Sequence, residues 1–350
     1  MQKFINIIYR LLWRVDVDIL LIVSSLLIFW NLLIFVLFGI DKHRALKRKW
    51  RISELTLMIC SLLCGGIGAA FGSKIFNHKT KKAKFKLVIL LSLIITSVPF
   101  IHIVHSLTLD RIIVYREMDF FAPTWPKSLD GYRIGFMTDF HRITEDRMQE
   151  VVDELNQREI DLLVLGGDFS LYEEHYRTIL GIISKTNTID GIWGVEGNHD
   201  DYNALFAAKN DYGIGILDNS GQYIHPNFFL AGVHDLWNRQ ADIAYATNNA
   251  DDNSFILLVS HNPDITMIQE TSNLDLVVSG HTHGGQITLF GWPFVLHLSS
   301  VSNYGTRFGG GWSESTTGVP VYTSAGIGDY YIWPRIFARP EVIIFTMYHE

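Results

Sequence analysis

The chain has 350 residues, room for about two modest domains, and 48% of them are hydrophobic. Its formal net charge of −7 hides a division: residues 1–116 hold 17 Lys and Arg against 5 Asp and Glu, whereas residues 117–350 hold 12 against 31. A basic apolar half joined to an acidic half describes a membrane segment followed by a soluble domain, and the acidic half repels nucleic-acid phosphates, so no nucleic-acid partner is expected.

At the N-terminus, Phe4, Ile8, Leu11, Leu12 and Val15 recur at helical spacing around Arg10 and Arg14, as in an interfacial helix or the first turns of a span. Ile19 to Ile40 is uncharged over 22 residues, enough to cross a bilayer, and is too long and too poor in a cleavage-site pattern for a signal peptide. Asn31 interrupts this run near its middle and calls for a partner on another helix. A second uncharged run, Leu55 to Ser73, contains Gly65, Gly66, Gly68 and Gly72, which permit either a close-packed span or a re-entrant loop. Cys60 and Cys64, the only cysteines, share one helical face of it and read as small packing residues. Leu87 to about Leu109 is the third run.

The connections between these runs are basic: Lys42, Arg44, Lys47, Arg48, Lys49 and Arg51 in the first, and Lys74, Lys79, Lys81, Lys82, Lys84 and Lys86 in the second. The positive-inside rule places both in the cytoplasm. They share that side only if the second run dips in and returns; the first and third runs then cross, and the C-terminal half lies outside. If the second run crosses instead, 9 basic residues face 8, with the same outcome for the C-terminal half. The stretch from Asp41-Lys42-His43-Arg44-Ala45 through Lys49-Trp50-Arg51-Ile52-Ser53-Glu54, with Gly65-Gly66 and His78-Lys79-Thr80, resembles the DUF1294 type, a small bacterial membrane family of unknown function. The resemblance runs over roughly residues 20–100. It implies a membrane module and no chemistry, and His78 among lysines reads as a solvated or headgroup-facing residue.

From Tyr132 the pattern becomes apolar strands that end in polar residues. Tyr132–Met137 runs into Thr138-Asp139-Phe140-His141, Asp161–Leu165 into Gly166-Gly167-Asp168, and Gly191–Val195 into Glu196-Gly197-Asn198-His199-Asp200. Ser254–Val259 runs into Ser260-His261-Asn262, and Leu274–Ser279 into Gly280-His281-Thr282-His283-Gly284-Gly285-Gln286. Helical periodicity between them, as in Met148, Val151, Val152 and Leu155, predicts an α/β layered fold with one polar site past the strand ends. Two divalent metals sharing a site need a bridging carboxylate and mixed nitrogen and oxygen ligands, which these loops offer. Asp139 and His141, like His281 and His283, alternate along extended backbone, so both side chains of each pair point one way. Each element alone has a bland reading as a turn, a cap or a surface histidine; their joint occurrence at strand ends does not.

In this order the motifs resemble the calcineurin-like metallophosphoesterases: D-x-H, G-D, G-N-H-D, a lone His, and G-H-x-H. The resemblance covers about residues 130–350 and extends to a membrane-associated bacterial branch through Gly284-Gly285-Gln286, Gly326-Ile327-Gly328 and Arg339-Pro340-Glu341; Phe140-His141-Arg142 departs from that branch, where Leu-His and a small or polar residue are more common. It implies a four-layer α-β-β-α sandwich over 117–350 behind a transmembrane helical module over 1–116. It further implies two divalent ions, Mn²⁺ first and Fe, Zn or Mg as alternatives. Asp139, His141, Asp168 and His283 would hold one; Asp168, Asn198, His261 and His281 would hold the other, with Asp168 bridging. Such ions activate a water, orient a phosphate and stabilise the charge on its oxygens. His199 would protonate the leaving oxygen or hold a phosphate oxygen, with Asp200 fixing its orientation.

The expected activity is hydrolysis of phosphodiester, phosphomonoester or pyrophosphate bonds, on a phosphate-ester substrate that is lipid- or nucleotide-linked. The competing classes are a non-catalytic membrane receptor or scaffold, against which the complete ligand set speaks, and a transporter-linked regulatory module. Beyond Gln286, an aromatic stretch (Phe290, Trp292, Phe294, Tyr304, Phe308, Trp312, Tyr330, Tyr331, Trp333) reads as packing beneath a long loop or as contact with an apolar chain. Arg307, Arg335 and Arg339 read as structural cations or as binders of a distal phosphate.

Overall fold

The computed structural model describes residues 2–170, 173–298, 301–329 and 334–350; side chains before Leu20 and residues Tyr330, Tyr331 and Trp333 lie outside the described ones. The chain falls into two units, Met1–Thr108 and Leu109–Glu350.

In the first unit, α1 (Gln2–Leu46) contains an apolar segment, Leu20–Leu46, long enough to cross a bilayer, and so do Glu54–Ile75 and Ala83–Arg111. The middle segment is broken. It consists of α2 (Glu54–Cys60), a turn in which Leu63 and Cys64 leave helical geometry, and α3 (Gly66–Ile75). The broken backbone groups are satisfied from the flanking helices. Asn31 donates to the Cys64 carbonyl (2.9 Å) and accepts from the Gly68 N–H (2.9 Å). Thr96 of α4 (Ala83–Leu107) accepts from the Gly66 N–H (2.9 Å). A Cβ on Gly68 would lie 1.9 Å from the Asn31 carbonyl, so only glycine permits this approach.

Both ends of the broken segment return to one place. The buried Asp41 carboxylate accepts from Arg51 (2.8 Å) and the Ile52 N–H (3.0 Å), and also meets His78 (2.7 Å) and Lys79 (3.7 Å). Glu54, at the start of α2, pairs with Lys79 (2.7 Å), Lys82 and Lys84 (2.8 Å), which follow α3. His78 is therefore buried against a carboxylate, not solvated as its lysine-rich surroundings suggested, because Asp41 needs partners where the helices converge.

The second unit is two stacked six-stranded sheets. In chain order the strands are β1 (Val114–Ala122), β2 (Tyr132–Met137), β3 (Leu162–Leu165), β4 (Ile192–Gly194), β5 (Gly215–Ile216) and β6 (Ser220–His225). They continue as β7 (Phe228–Gly232), β8 (Phe255–Val259), β9 (Leu276–Ser279), β10 (Gly311–Glu314), β11 (Pro320–Thr323) and β12 (Glu341–His349). One sheet runs β1-β12-β2-β3-β4-β5 and the other β10-β11-β9-β8-β7-β6. The pairing of β1 with β12, Val114 against Glu341, carries residues 114–116 with this unit.

Strand alternation divides the core. Ile134, Phe136, Leu162, Val164, Leu257, Val259, Ile343 and Phe345 point between the sheets. Met137, Leu163, Leu165, Val342 and Ile344 point outward onto α5 (Glu145–Gln157) and α6 (Glu173–Ile183). On the other outer face, Ile256, Leu258 and Val277 pack against the short helix Ile243–Ala246 and the loops around Phe308 and Val319. The layers thus run α-β-β-α, with a thin fourth layer. β2, β3, β4, β8 and β9 all end toward one rim, and their following loops meet there.

Candidate metal centre

Each loop turns sharply as its strand ends. Asp139 (φ 55°), His141 (φ 37°), Asp168 (φ 57°), His281 (φ 72°) and His283 (φ 52°) all occupy the left-handed region. Such positions cost on the order of 1–3 kcal/mol each and persist where the surroundings over-determine them. The turns aim the side chains at one another. Two glycines let the loops close: a Cβ on Gly197 would lie 2.2 Å from Asp168 Oδ1, and one on Gly280 would lie 2.3 Å from Asp139 Oδ2.

The buried atoms gather in two groups. In the first, His141 Nε2 lies 2.9 Å from His283 Nε2 and 3.3 Å from Asp168 Oδ2, and His283 Nε2 lies 3.3 Å from Asp139 Oδ1. In the second, His261 Nε2 lies 3.2 Å from Asp168 Oδ2 and 3.1 Å from Asn198 Oδ1, while His281 Nδ1 lies 2.8 Å from Asn198 Oδ1 and 3.2 Å from His261 Nε2. Asp168 Oδ2 belongs to both. Ligands about 2.0–2.2 Å from one ion stand about 3 Å from each other, which is the spacing within each group.

The outer partners select the ring nitrogens that face inward. His261 Nδ1 donates to the Gly166 carbonyl (2.7 Å), leaving Nε2 toward Asp168 and Asn198. His281 Nε2 donates to the Val301 carbonyl (3.0 Å), leaving Nδ1 inward, and Trp237 stands edge-on to the His281 ring at 4.4 Å. His281 Nδ1 and Asn198 Oδ1, both acceptors, therefore converge, an arrangement that a cation resolves. The donor set of imidazole nitrogen, carboxylate and amide oxygen fits borderline-to-hard divalent metals.

Protonation follows the same logic. Burial lowers His141 to about 4 and His281 to about 3, and holds His283 well below its ordinary value, so all three are held neutral, as ligation of a cation requires. Burial opposes charge on His261, but the Asp168 carboxylate outweighs it and lifts this imidazole well above its ordinary range. Burial likewise opposes charge on Asp168, and the surrounding imidazoles, His261 foremost, hold it well below the usual carboxylate range.

His199 borders a cavity of about 400 Å³ with Asp168, Asn198, Trp237, His281 and His283, and its ring lies 5.5 Å from that of His141. The His199 backbone N–H donates to Asp168 Oδ1 (2.9 Å). The Asp200 carboxylate accepts from the N–H groups of Asp168, Phe169 and Gly197, each at 2.8 Å, and so ties the second and third loops together. Burial, with the Asp168 charge adding, pushes this carboxyl up to about 8.

The apolar wall of the cavity, Trp237, Ile287, Val295, Leu296 and Val301, lies outside the five strand-end motifs. Trp237 sits in a loop capped by Asp235, which accepts from the Trp237 N–H (2.9 Å) and the Asn238 N–H (3.0 Å); Asp-x-x-Asn was a turn signal available in the sequence. The three arginines have structural partners. Arg335 is buried on the Gly328 and Ala338 carbonyls, Arg307 binds the Glu314 carbonyl (2.6 Å), and Arg339 the Leu109 carbonyl (3.1 Å). Among the aromatics, Phe308 is fully buried and Trp312 stacks on Phe120 at 5.9 Å, whereas Phe290 and Trp292 remain exposed.

Residues 132–285 match the calcineurin-like phosphoesterase family, and residues 31–85 match the DUF1294 family of proteins of unknown function. An uncharacterized metallophosphoesterase of Helicobacter pylori (strain J99) is 30% identical over 237 residues, 63% of this chain and 61% of that protein. The transmembrane protein with metallophosphoesterase domain of Danio rerio is 28% identical over 62% of this chain and 53% of its own length. Phosphodiesterase YaeI of Escherichia coli (strain K12) is 27% identical over 62% of this chain and 82% of its own length. The chain thus spans less than two thirds of the Helicobacter and Danio relatives. The family resemblance is therefore confined to two stretches: a calcineurin-like phosphoesterase domain over residues 132–285 and, ahead of it, a DUF1294 segment over residues 31–85.

Proposed function

We propose that the chain is a membrane-anchored, metal-dependent phosphohydrolase acting on phosphodiester, phosphomonoester or pyrophosphate bonds of a lipid- or nucleotide-linked envelope substrate. The observation that carries this reading is Asp168, one carboxylate oxygen of which stands within 3.3 Å of imidazoles from both groups. In this reading Asp139, His141, Asp168 and His283 hold one divalent ion, and Asp168, Asn198, His261 and His281 the other, with Mn²⁺ the first candidate and Fe, Zn or Mg the alternatives. Bound there, such ions supply Lewis-acid polarisation of the phosphate and charge that activates a water. His199, at the cavity edge, hands a proton to the leaving oxygen or holds a phosphate oxygen. Asp200 is a positioning residue that fixes the Asp168 and His199 loops. The apolar wall favours a substrate with an apolar part over a free nucleotide.

Membrane attachment is supported by the three apolar segments, and orientation by the convergence of both basic connections at Asp41 and Glu54. With that face cytoplasmic, α1 and α4 cross, Glu54–Ile75 re-enters, and the phosphoesterase domain is extracytoplasmic. The names of the Escherichia and Danio relatives, a phosphodiesterase and a transmembrane protein, agree with diester cleavage and with attachment.

The test is activity of the purified full-length chain, loaded in turn with Mn²⁺, Fe²⁺, Zn²⁺ and Mg²⁺, against lipid-linked and nucleotide phosphates. Turnover that depends on metal and is lost in Asp168→Asn is expected. A chain that binds two ions and turns over none of these substrates ends the proposal.

A further inference from the structure

The return of the broken segment has a consequence for the face it creates. Residues 42–54 and 74–86 together carry twelve Lys and Arg and one acid, Glu54. Glu54 and the adjoining Asp41 are occupied by Arg51, His78, Lys79, Lys82 and Lys84, so the two connections are fastened to one another. Arg44, Lys47, Arg48, Lys49, Lys74, Lys81 and Lys86 are exposed around this clasp. Among them stands Trp50, 93% exposed, with Leu46 and Leu55 exposed beside it. An uncovered tryptophan between Lys49 and Arg51, at the end of an apolar span, has the amphipathic character of side chains that settle at headgroup depth.

We propose that this face is a binding surface for anionic phospholipid headgroups, with Trp50 seated at the interface and the exposed lysines and arginines around it engaging headgroup phosphates. The inference rests on the membrane-anchored reading and is independent of the phosphoesterase chemistry. A soluble polyanion would meet the same charges, but the exposed apolar sides of α1 and α4 lead into this face, and Trp50 has no use in a purely electrostatic contact. The clasp explains why the charges act together: it brings two connections more than twenty residues apart in sequence onto one surface.

The experiment uses the full chain reconstituted in phosphatidylcholine bilayers, with trace spin-labelled phosphatidylglycerol or phosphatidylcholine, and reads the relative association of the two lipids by electron paramagnetic resonance. A preference of at least about fivefold for phosphatidylglycerol is expected at low salt, the equivalent of one well-placed basic residue. It should collapse toward unity in 1 M salt, and in the variant K47Q/R48Q/K49Q/K81Q at low salt. Equal association of both lipids with the parent chain at low salt overturns the proposal, as does a preference that the four substitutions leave intact. The salt series on the parent chain decides the matter where the variant fails to fold. Failure of the chain to float with the vesicles overturns the membrane reading itself, and is scored before any lipid comparison.

Discussion

At the scale of single residues, the site is governed by two carboxylates in surroundings that oppose charge. Asp168 remains anionic because imidazoles from both groups face it, while burial, reinforced by the Asp168 charge, lifts Asp139 to about 6. Metal binding at Asp139 must therefore displace a proton below about pH 6, and the sign follows: apparent affinity falls as pH drops through that value, by up to about tenfold per unit for each proton displaced. Calorimetry of Mn²⁺ binding to the metal-free chain in buffers of different ionisation enthalpy measures the protons released; an affinity flat from pH 7 to 5 contradicts it. His199 lies outside the ligand groups, so His199→Ala is expected to lower kcat by about 10²–10⁴-fold while metal content by elemental analysis stays near that of the parent. Loss of both ions would make the residue structural instead. The convergence of these residues was legible because each sits in a short motif directly after an apolar strand, and one loop's identity does not depend on another's. Trp237 and the apolar wall were not, since their nearness to His281 arises only when separate loops fold over one rim.

At the scale of elements, close approach sets the requirements. Gly280→Ala would press a methyl group to within 2.3 Å of Asp139 Oδ2, so the loop must shift and metal content should fall even though no ligand is altered. In the membrane unit the equivalent element is the break between α2 and α3. Asn31→Leu removes a donor to the Cys64 carbonyl and an acceptor for the Gly68 N–H, two backbone groups with no water to replace it in a bilayer core. A loss of about 1–3 kcal/mol per orphaned group is expected, seen as a lower Tm in detergent together with faster alkylation of Cys64. Unchanged values of both would show that the break is held otherwise. The need of Asn31 for a helix partner was readable from its place mid-run; that the partner is the broken backbone of the next segment was not. Strands β2, β3, β8 and β9 announce themselves as apolar runs ending in motifs. β1 does not, because it is an edge strand of mixed exposure whose partner, β12, lies more than two hundred residues away.

At the scale of the whole chain, topology is the question on which substrate choice turns. From Asn31 to Asp41 the helix rises about 15 Å, half of a hydrocarbon core about 30 Å thick, so in the proposed arrangement, with Asp41 at the edge of the hydrocarbon, the broken tip would reach mid-depth while its two ends meet Asp41. A segment that turned back at mid-depth would leave an even number of crossings, α1 and α4. In that proposed arrangement the start of α1 and the phosphoesterase domain would fall on one side, and the twelve basic residues of the two connections on the other. The near tie of 9 to 8 that a three-crossing arrangement would give would then not arise, and the positive-inside rule would act with full weight. Two measurements separate the arrangements. Cysteines introduced by Lys49→Cys and Lys81→Cys, each in a Cys60→Ser/Cys64→Ser background, should both resist a membrane-impermeant maleimide applied to intact spheroplasts, and both react after lysis. Protease added to intact spheroplasts should digest the phosphoesterase domain. If one cysteine labels before lysis and the other only after it, the middle segment crosses and the hairpin is wrong. If both label before lysis and the domain survives, the hairpin stands but the orientation is reversed, and substrates on the cytoplasmic face, nucleotide-linked lipid precursors among them, become the ones to test.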